Sequence, residues 1–234
     1  MNIEIYSDVV CPWCYIGKRR FDKALASFPG AADVTVTWRP FQLDPEASSE
    51  PVPHLQAYAA KVGDPASFDA AVSELQDAAA GEELDLRLDL AQRVNTFDAH
   101  RLLNLALAEG SSERQHSVLD ALMRGYFTEG RNLADHGELA TLGEQAGLNG
   151  TDVSAYLSSD AGAEEVRAQL GEGRALGLDS VPTYVFERRW AVSGAQSPET
   201  MGQVLMQIEA AMLGGGGGGG GCCGGGGGGC ACSA

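Results

Sequence analysis

Residues 7–20 are Ser-Asp-Val-Val-Cys-Pro-Trp-Cys-Tyr-Ile-Gly-Lys-Arg-Arg, and they set two cysteines between a predicted strand and a predicted helix. Before them, isoleucines alternate with polar residues, which predicts a strand over residues 2–7. After them a helical pattern continues to about Phe28, and Pro12 stands in its first turn, where proline is tolerated. The chain therefore opens with a strand, a Cys-X-X-Cys pair and a helix.

Farther along the chain, strand and helix signals follow a definite order. Residues 33–41 alternate β-branched and polar side chains, which predicts a second strand and completes a β-α-β unit. From about residue 53 to residue 176 the pattern is helical without strands, with start signals at Ser112, Asp135 and Thr151 and stop signals at Gly110, Gly147 and Gly177. The order ends with two short strands, 183–186 and 190–193, and a helix from Ser197-Pro198 through Leu213.

This order predicts an α/β protein with a thioredoxin-like fold (β-α-β … β-β-α) that carries an all-helical insertion. We divide the chain into a first half of the thioredoxin-like unit at 1–50, the helical insertion at 51–160, the second half at 161–213 and a Gly/Cys-rich tail at 214–234. The tail is set apart because it holds 14 of the 31 glycines. The remaining body, about 210 residues, is of a size that buries a single core.

Several motifs of the body resemble one known family. A Cys-X-X-Cys pair alone is a weak match, but this one lies between a strand and a helix and is followed 170 residues later by Val-Pro-Thr. The matching segments are residues 7–20, Trp-Arg-Pro-Phe-Gln-Leu (38–43), Asn-Thr-Phe-Asp-Ala-His-Arg-Leu-Leu (95–103), Tyr-Phe-Thr-Glu-Gly (126–130), Val-Pro-Thr (181–183) and Val-Ser-Gly-Ala-Gln (192–196). From residue 1 to about residue 213 the chain resembles the DsbA family, and within it the FrnE-like subgroup.

The paired cysteines carry the predicted chemistry. Cys11 stands at the predicted N-terminus of the first helix, where unpaired backbone N–H groups and the helix dipole favour an anion such as a thiolate, the attacking species. The resemblance implies that Cys11 is the nucleophile that forms a mixed disulfide and that Cys14, one turn inside the helix, is the resolving thiol. Pro12 and Trp13 complete this active-site motif, and these two positions vary between thioredoxin-like families.

The segment Val181-Pro182-Thr183 resembles the cis-proline loop of the family. Such a loop faces the paired cysteines and offers backbone groups to an extended substrate. Cis peptide bonds are essentially confined to X-Pro. The resemblance therefore implies a cis bond before Pro182 and a substrate-binding role for all three residues, whereas a trans proline that begins a strand is the alternative.

Two features of the body depart from the family pattern. Thioredoxins proper have an acidic residue six positions before the first cysteine, which is taken to help the second cysteine lose its proton, and that position is Ile5 here. Asp8 is a nearer carboxylate that could take this role or simply begin the turn into the helix. Between the last two strands, Glu187-Arg188-Arg189 stands where a glycine-containing turn is expected.

Candidate residues in the helical insertion are fewer. The resemblance suggests that the helix carrying His100 roofs the active site, so His100 is a candidate for substrate binding or proton handling, the alternative being an ordinary surface or internally bonded histidine.

Three aromatic residues of the body are assigned to the core: Trp38, Phe41 and Tyr126. The other histidines, which have no cysteine or carboxylate partner at ligand spacing, are His54, His116 and His136. We therefore predict no metal site in the body.

The tail contains four cysteines in a run of glycines, Cys222, Cys223, Cys230 and Cys232. So few side chains predict a flexible coil, and a coil of about 16 residues spans roughly 20–24 Å, enough to return to Cys11 if the last helix ends nearby. Four functions stay open: a thiol relay to Cys11 and Cys14, a soft-metal site for zinc or copper(I), a substrate for peptide modification, or a dispensable extension.

Charge and hydropathy limit the partners. The chain has 16 Lys and Arg against 32 Asp and Glu, a net charge of −16, which repels nucleic acid and anionic lipid. No segment approaches the 18 or more apolar residues of a membrane span, and residues 2–8 lack the pattern of a secretory leader. We therefore expect a cytoplasmic protein without nucleic acid or membrane partners, as a monomer or a homodimer.

The sequence thus predicts a thiol–disulfide oxidoreductase that acts on disulfide- or thiol-bearing proteins or on a small molecule. No cofactor is required, although glutathione is a possible redox partner. One alternative is a glutathione-dependent isomerase or transferase related to 2-hydroxychromene-2-carboxylate isomerase, a group with the same inserted helical block but without the paired cysteine. Another alternative, not an enzyme, is a chaperone-like or metal-sequestering module. The direction of electron flow is left open.

Overall fold

A computed structural model describes residues 1–214 of the chain. Its central sheet has the strand order β2-β1-β5-β6, formed by β1 (Asn2–Ser7), β2 (Thr35–Pro40), β5 (Thr183–Phe186) and β6 (Trp190–Ser193). Strand β1 runs parallel to β2 and antiparallel to β5, and β5 and β6 form an antiparallel hairpin. The two ends of the chain thus meet in one sheet, as the β-α-β … β-β-α order predicts.

Helices cover the sheet. Helices α1 (Pro12–Ala26) and α9 (Pro198–Gly214) pack against each other, and Phe21 of α1 stacks on Tyr184 of β5 with ring centroids 5.4 Å apart. Helix α8 (Ala163–Ala175) lies against β2, and its Gly173 comes close to the ring of Tyr6. Because Tyr6 and its neighbour Ile5 point to opposite faces of β1, both faces of the sheet are buried.

The helical insertion packs onto this unit through one continuous hydrophobic core that joins residues such as Ile5 and Phe21 to Leu102 and Leu119. Its helices are α2 (His54–Val62), α3 (Pro65–Ala80), α4 (Phe97–Glu109), α5 (Ser112–Phe127), α6 (His136–Gln145) and α7 (Gly150–Leu157). None of the helices within residues 1–214 combines the length and the apolar composition needed to span a bilayer. The α/β class and the inserted helices are confirmed.

The prediction that residues 53–176 contain no strand was wrong. Strands β3 (Val52–Pro53) and β4 (Gln92–Arg93) pair antiparallel, and each has two residues. A two-residue strand is too short to show an alternating pattern, so the hydrophobic period could not reveal it. This pairing brings the two ends of the α2–α3 excursion together.

Several predicted ends of elements moved. The second strand begins at Thr35 rather than Asp33, because Ala31–Asp33 forms a short 3₁₀ turn. Ser112 does not cap α5: the hydroxyl of Ser111 accepts the capping hydrogen bond instead, and Gln115, three residues after Ser112, is buried. Its side-chain amide bonds the backbone of Trp38 in β2, with both N···O distances at 2.9 Å.

The other predicted helix starts and stops lie at or within two residues of the observed ones. Asp135 caps α6, since its side chain accepts from the N–H groups of Gly137 and Glu138. Helix α7 is capped by Asn149 rather than Thr151. The predicted stops at Gly110, Gly147 and Gly177 all lie within two residues of a helix end.

Candidate active site

Cys11 and Cys14 lie where β1 passes into α1. Cys11 is the N-cap residue, Pro12 is the first residue of the helix, and Cys14 lies in the first turn, with its N–H donating to the carbonyl of Cys11 at 3.0 Å. Both are free thiols in the structure. Cys11 keeps 5% of its surface exposed, whereas Cys14 has none. The helix start therefore leaves a small part of Cys11 exposed and buries Cys14 completely.

The surroundings of Cys14 keep its proton in place. Burial raises the pKa of the Cys14 thiol well above its usual value, and the neighbouring Cys11 sulfur raises it further. The Ser7 hydroxyl and the backbone of Asp8 act in the opposite direction but do not outweigh burial. A thiol held protonated cannot attack until its environment changes, which suits the second, resolving position.

The loop that contains Pro182 faces Cys11. The Val181–Pro182 peptide bond is cis, and the carbonyl oxygen of Val181 lies 4.0 Å from the sulfur of Cys11. Thr183 is buried, and its hydroxyl donates to the Ser180 carbonyl at 2.8 Å and lies 3.1 Å from the Ser193 hydroxyl. The backbone of this loop thus faces the thiol, while the Thr183 side chain holds the loop to β6.

Gly17 of α1 makes this approach possible. A Cβ atom at this position would lie 2.8 Å from the hydroxyl of Tyr184 and 2.9 Å from Cγ of Pro182. Real Cβ atoms essentially never come so close to other atoms. A glycine two turns into the helix therefore lets β5 and the proline loop close on α1.

A cavity of about 390 Å³ opens beside Cys11, between the thioredoxin-like unit and the insertion. Its size falls within the range of small-molecule sites. The apolar part of its lining includes Val10, Trp13, Leu75, Val94 and Val181. The polar part includes Asp8, His54, Tyr58, Lys61, Tyr126 and Asp179. We call this cavity the cleft; a bound molecule in it would contact Cys11 and residues of the insertion at the same time.

The two further candidates are brought together: Asp8 lines the cleft, and His100 lies against Asp8. Asp8 is 1% exposed, and one carboxylate oxygen accepts from the N–H of Leu43 at 2.8 Å. The other oxygen lies 3.4 Å from Nε2 of His100, which donates to the carbonyl of Phe41 at 2.9 Å. His100 is buried, so it is an internally bonded histidine, and the pair holds the segment that follows β2.

Sequence reasoning missed His54 and gave Tyr126 to the core alone. Nδ1 of His54 lies 3.1 Å from the hydroxyl of Tyr126, and both side chains line the cleft. Burial lowers the pKa of His54, and burial together with the charge of Asp8 raises the pKa of Tyr126. The two residues are 72 positions apart, so spacing along the chain carried no signal of the pair.

The remaining histidines also have partners distant in sequence. Nε2 of His116 lies 2.8 Å from the ammonium of Lys18, and Nε2 of His136 lies 2.8 Å from a carboxylate oxygen of Asp98. Within residues 1–214 no group of three or more His, Cys, Asp or Glu side chains is placed to bind a metal ion. The tail cysteines Cys222, Cys223, Cys230 and Cys232, with the relay and metal interpretations, lie outside the described residues.

Solved structures with the same fold belong to proteins with different activities. A probable DsbA oxidoreductase of Streptomyces coelicolor, SCO1869, is 41% identical, covers 90% of this chain and 90% of its own, and superposes with a TM-score of 0.83. The cytosolic disulfide reductase DsbM of Pseudomonas aeruginosa, solved with GSH, is 20% identical, with 90% and 100% coverage and a TM-score of 0.63. A 2-hydroxychromene-2-carboxylate isomerase is 18% identical, with 91% and 95% coverage and a TM-score of 0.63.

The last two similarities show the fold alone, whereas the first extends to sequence. The family comparison covers almost all of the body: residues 2–206 match the DSBA-like thioredoxin domain. The matched range includes the paired cysteines, the whole insertion and the proline loop. The chain therefore belongs to the DSBA-like thioredoxin domain family.

Proposed function

We propose that the protein is a thiol–disulfide oxidoreductase whose redox centre is Cys11 and Cys14. The observation that carries the proposal is the placement of the two sulfurs: Cys11 caps the helix and faces the Val181 carbonyl, and Cys14 is fully buried behind it. One accessible sulfur with a second one a helical turn behind is the arrangement that exchange through a mixed disulfide needs.

The exchange has two steps. The Cys11 thiolate attacks one sulfur of a substrate disulfide, a Cys11–substrate disulfide forms, and the first substrate thiolate leaves. Cys14 then loses its proton and attacks the Cys11 sulfur, which releases the second substrate thiolate and leaves a Cys11–Cys14 disulfide. Two electrons pass from the protein to the substrate, and oxidation of a substrate dithiol runs the same steps backwards.

The proline loop and the cleft define where a substrate binds. We assign the backbone of Val181 and Pro182 to binding an extended disulfide- or thiol-bearing segment, because it faces the Cys11 sulfur. Trp13 is half-buried beside that sulfur and lines the cleft. Glutathione is a suitable redox partner for a cleft of this size, and the related fold solved with GSH supports it. We retain the FrnE-like assignment and the cytoplasmic location as part of this proposal.

A second candidate function is a glutathione-dependent isomerase or transferase. The likeness in fold to 2-hydroxychromene-2-carboxylate isomerase favours it, and the cleft is large enough for a small substrate. The paired cysteine argues against it, because one sulfur is sufficient to address glutathione. A chaperone-like or metal-sequestering module is the non-enzymatic alternative, and it predicts activity that survives alkylation of Cys11.

The deciding experiment is an equilibrium titration of the full-length protein in glutathione redox buffers. Trp13 fluorescence follows the transition, and peptide mass spectrometry assigns the oxidation state of each cysteine, which separates the centre from the tail. We expect Cys11 and Cys14 to convert together as one two-electron couple. The Cys14→Ser variant is the matched control, and it should accumulate a glutathione adduct on Cys11.

The midpoint of that titration then gives the direction of electron flow in a given redox buffer. A Cys14 that remains a free thiol in the wild-type protein, while Cys11 takes only a glutathione adduct, would favour the isomerase or transferase function. A Cys11 that does not react at all would contradict both enzymatic functions.

A further inference from the structure

We propose that His54 is a catalytic residue of the exchange, which donates a hydrogen bond from Nε2 to the thiolate that leaves when Cys11 attacks, and that Tyr126 is the positioning residue that fixes its proton. This inference rests on the proposed function and adds the group that stabilises the leaving sulfur. It gives two polar side chains that the insertion contributes to the cleft a role in the reaction.

The placement of His54 is fixed from two sides. It is the first residue of α2, its backbone N–H donates to the carbonyl of Ala91 at 2.9 Å, and its ring contacts the hydroxyl of Tyr126. The ring of Tyr126 meets that of His54 edge-on, with centroids 6.2 Å apart. His54 thus lies at the start of a helix and lines the same cavity as Cys11 and Val181.

The hydroxyl of Tyr126 determines which ring nitrogen of His54 carries the proton. Tyr126 is completely buried, and among residues 1–214 the single hydrogen-bond partner of its hydroxyl is Nδ1 of His54. A buried O–H without an acceptor is costly, so the hydroxyl donates and Nδ1 accepts. The neutral imidazole therefore carries its proton on Nε2, the nitrogen for which the described residues provide no partner.

The groups around His54 leave it neutral and leave Nε2 available. Tyr58 and Lys61 lie on the same helix, and Asp8, Tyr126 and Asp179 also line the cleft. Two further lining residues, Asp44 and Arg93, neutralise each other in an ion pair. Burial lowers the pKa of His54, so the ring is uncharged at neutral pH and acts as a donor rather than as an acid.

The step balances without a proton leaving the imidazole. The Cys11 sulfur forms a bond to the nearer substrate sulfur, the substrate S–S bond breaks, and its electron pair goes to the departing sulfur. The hydrogen bond from Nε2 stabilises that developing negative charge, as preorganised donors stabilise an oxyanion. The thiolate takes its proton from water after it has left the cleft.

The test compares two disulfides that differ in their leaving group. Full-length reduced protein reacts with glutathione disulfide, which releases an alkyl thiolate, and with 5,5′-dithiobis(2-nitrobenzoate), which releases an aromatic thiolate of low basicity. Acid quenching and peptide mass spectrometry follow the reaction at Cys11 and Cys14 and so separate it from reaction of the four tail cysteines. The variants are His54→Leu, His54→Gln and Tyr126→Phe. The matched control is His136→Leu. The His136 side chain is 40% exposed, bonds Asp98 of α4 and does not line the cleft.

We expect His54→Leu to slow the reaction with glutathione disulfide about tenfold, the size of a hydrogen bond to a charged group. The reaction with the aromatic disulfide, whose departing thiolate needs little stabilisation, should become slower by less than about twofold. His54→Gln should recover part of the rate because its amide can donate, Tyr126→Phe should give an intermediate loss, and His136→Leu should match the wild type.

Other outcomes overturn the inference. Equal slowing of both disulfides in His54→Leu would show a purely structural role, and unchanged rates would remove the residue from the reaction. If His54→Leu does not fold, equal rates of Tyr126→Phe and the wild type with glutathione disulfide have the same consequence. A wild-type protein in which Cys11 reacts with neither disulfide would contradict the proposed function itself.

Discussion

Gly17 shows how one missing side chain controls the distance between the nucleophile and the proline loop. We expect Gly17→Ala to lower the free energy of unfolding by about 1–2 kcal/mol, because overpacking against Tyr184 and Pro182 outweighs the better helix propensity of alanine. Displacement of the loop should also slow the reaction with glutathione disulfide at least about tenfold. Urea unfolding and stopped-flow fluorescence of Trp13 measure the two effects.

Gly202 in α9 is the matched control for this substitution. A Cβ atom there meets no other atom within 4 Å, so Gly202→Ala should raise the free energy of unfolding by about 0.5–1 kcal/mol and leave the rate unchanged. A Gly17→Ala protein as stable and as fast as the wild type would show that the proline loop does not depend on this contact.

Asp8 and His100 form a buried pair, and their part in the exchange stays a prediction. The sequence made both candidates for proton handling, and the structure brings them to within 3.4 Å of each other. Their other contacts, however, are to the backbone of Phe41 and Leu43. This bonding supports an anchoring role for the chain segment that follows β2.

At the scale of elements, a cluster of charges ties α1 to α5. Lys18 of α1 has no exposed side-chain surface, and its ammonium lies 2.8 Å from Asp22 and 2.8 Å from Asp120 of α5, with His116 against it as well. Burial of a lysine ammonium without such partners would lower the free energy of unfolding by several kcal/mol. The three partners therefore allow Lys18 to be buried. The cluster fixes the first helix of the thioredoxin-like unit to the insertion.

This cluster predicts a pH dependence of stability. Burial by itself would raise the pKa of Asp22, but the neighbouring His116 and the charge of Lys18 lower it, and the net shift is downward. A pKa that is lower in the folded than in the unfolded protein contributes stability above the unfolded value of about 3.9, and this contribution disappears as the pH falls below it. We expect Asp22→Asn to lower the free energy of unfolding by about 1–3 kcal/mol at pH 7, and this difference should shrink below about pH 4.

Urea titrations of the wild type and Asp22→Asn between pH 7 and pH 3 test that dependence. Asp69→Asn serves as the comparison, because Asp69 is exposed on α3 and forms no ion pair within residues 1–214. A difference that stays constant down to pH 3 would argue that Asp22 acts through packing and not through its charge.

The turn between β5 and β6 has an explanation that sequence could not supply. Glu187 and Arg188 both have positive φ, 51° and 54°, within the three-residue loop between β5 and β6, a conformation in which glycine and asparagine are the usual residues. Glu187 accepts from the N–H of Asn2 at 2.6 Å, and Arg188 binds Glu4 at 3.0 Å. These contacts to β1 offset the backbone strain and join the turn to the neighbouring strand.

Elements differ in how far they could be predicted. Strand β1 and helix α1 have full periodic patterns and a proline at the helix start, so they were found with nearly correct ends. Strands β3 and β4 have two residues each and no pattern of their own. The cap of α5 was predicted one residue late. Ser111 and Ser112 are adjacent, and Gln115 stands three residues after Ser112, as in a capping box, but its partner is the backbone of Trp38 in β2.

At the scale of the whole molecule, the cleft is a joint product of two distant parts of the chain. One wall comes from Cys11 and Val181 of the thioredoxin-like unit, and the other from His54, Tyr126 and Leu75 of the insertion. The first wall was predicted because family motifs mark it. The second could not be, because its residues have no common spacing and meet only when the helices of the insertion pack.

The last prediction concerns residues 215–234, which we expect to leave the equilibrium constant with glutathione unchanged whatever they do to the rate of exchange. The described groups that determine the relative stability of the dithiol and the disulfide are the start of α1, the burial of Cys14 and the Val181 carbonyl, all within residues 7–181. We therefore expect a chain that ends at Gly214 to have the same equilibrium constant with glutathione, within about twofold, as the full-length protein. A thiol relay through the tail would slow or accelerate approach to that equilibrium without moving it. Parallel titrations and stopped-flow traces of both chains distinguish the two effects, and a tail that forms a stable disulfide with Cys11 would reveal itself by a shifted midpoint.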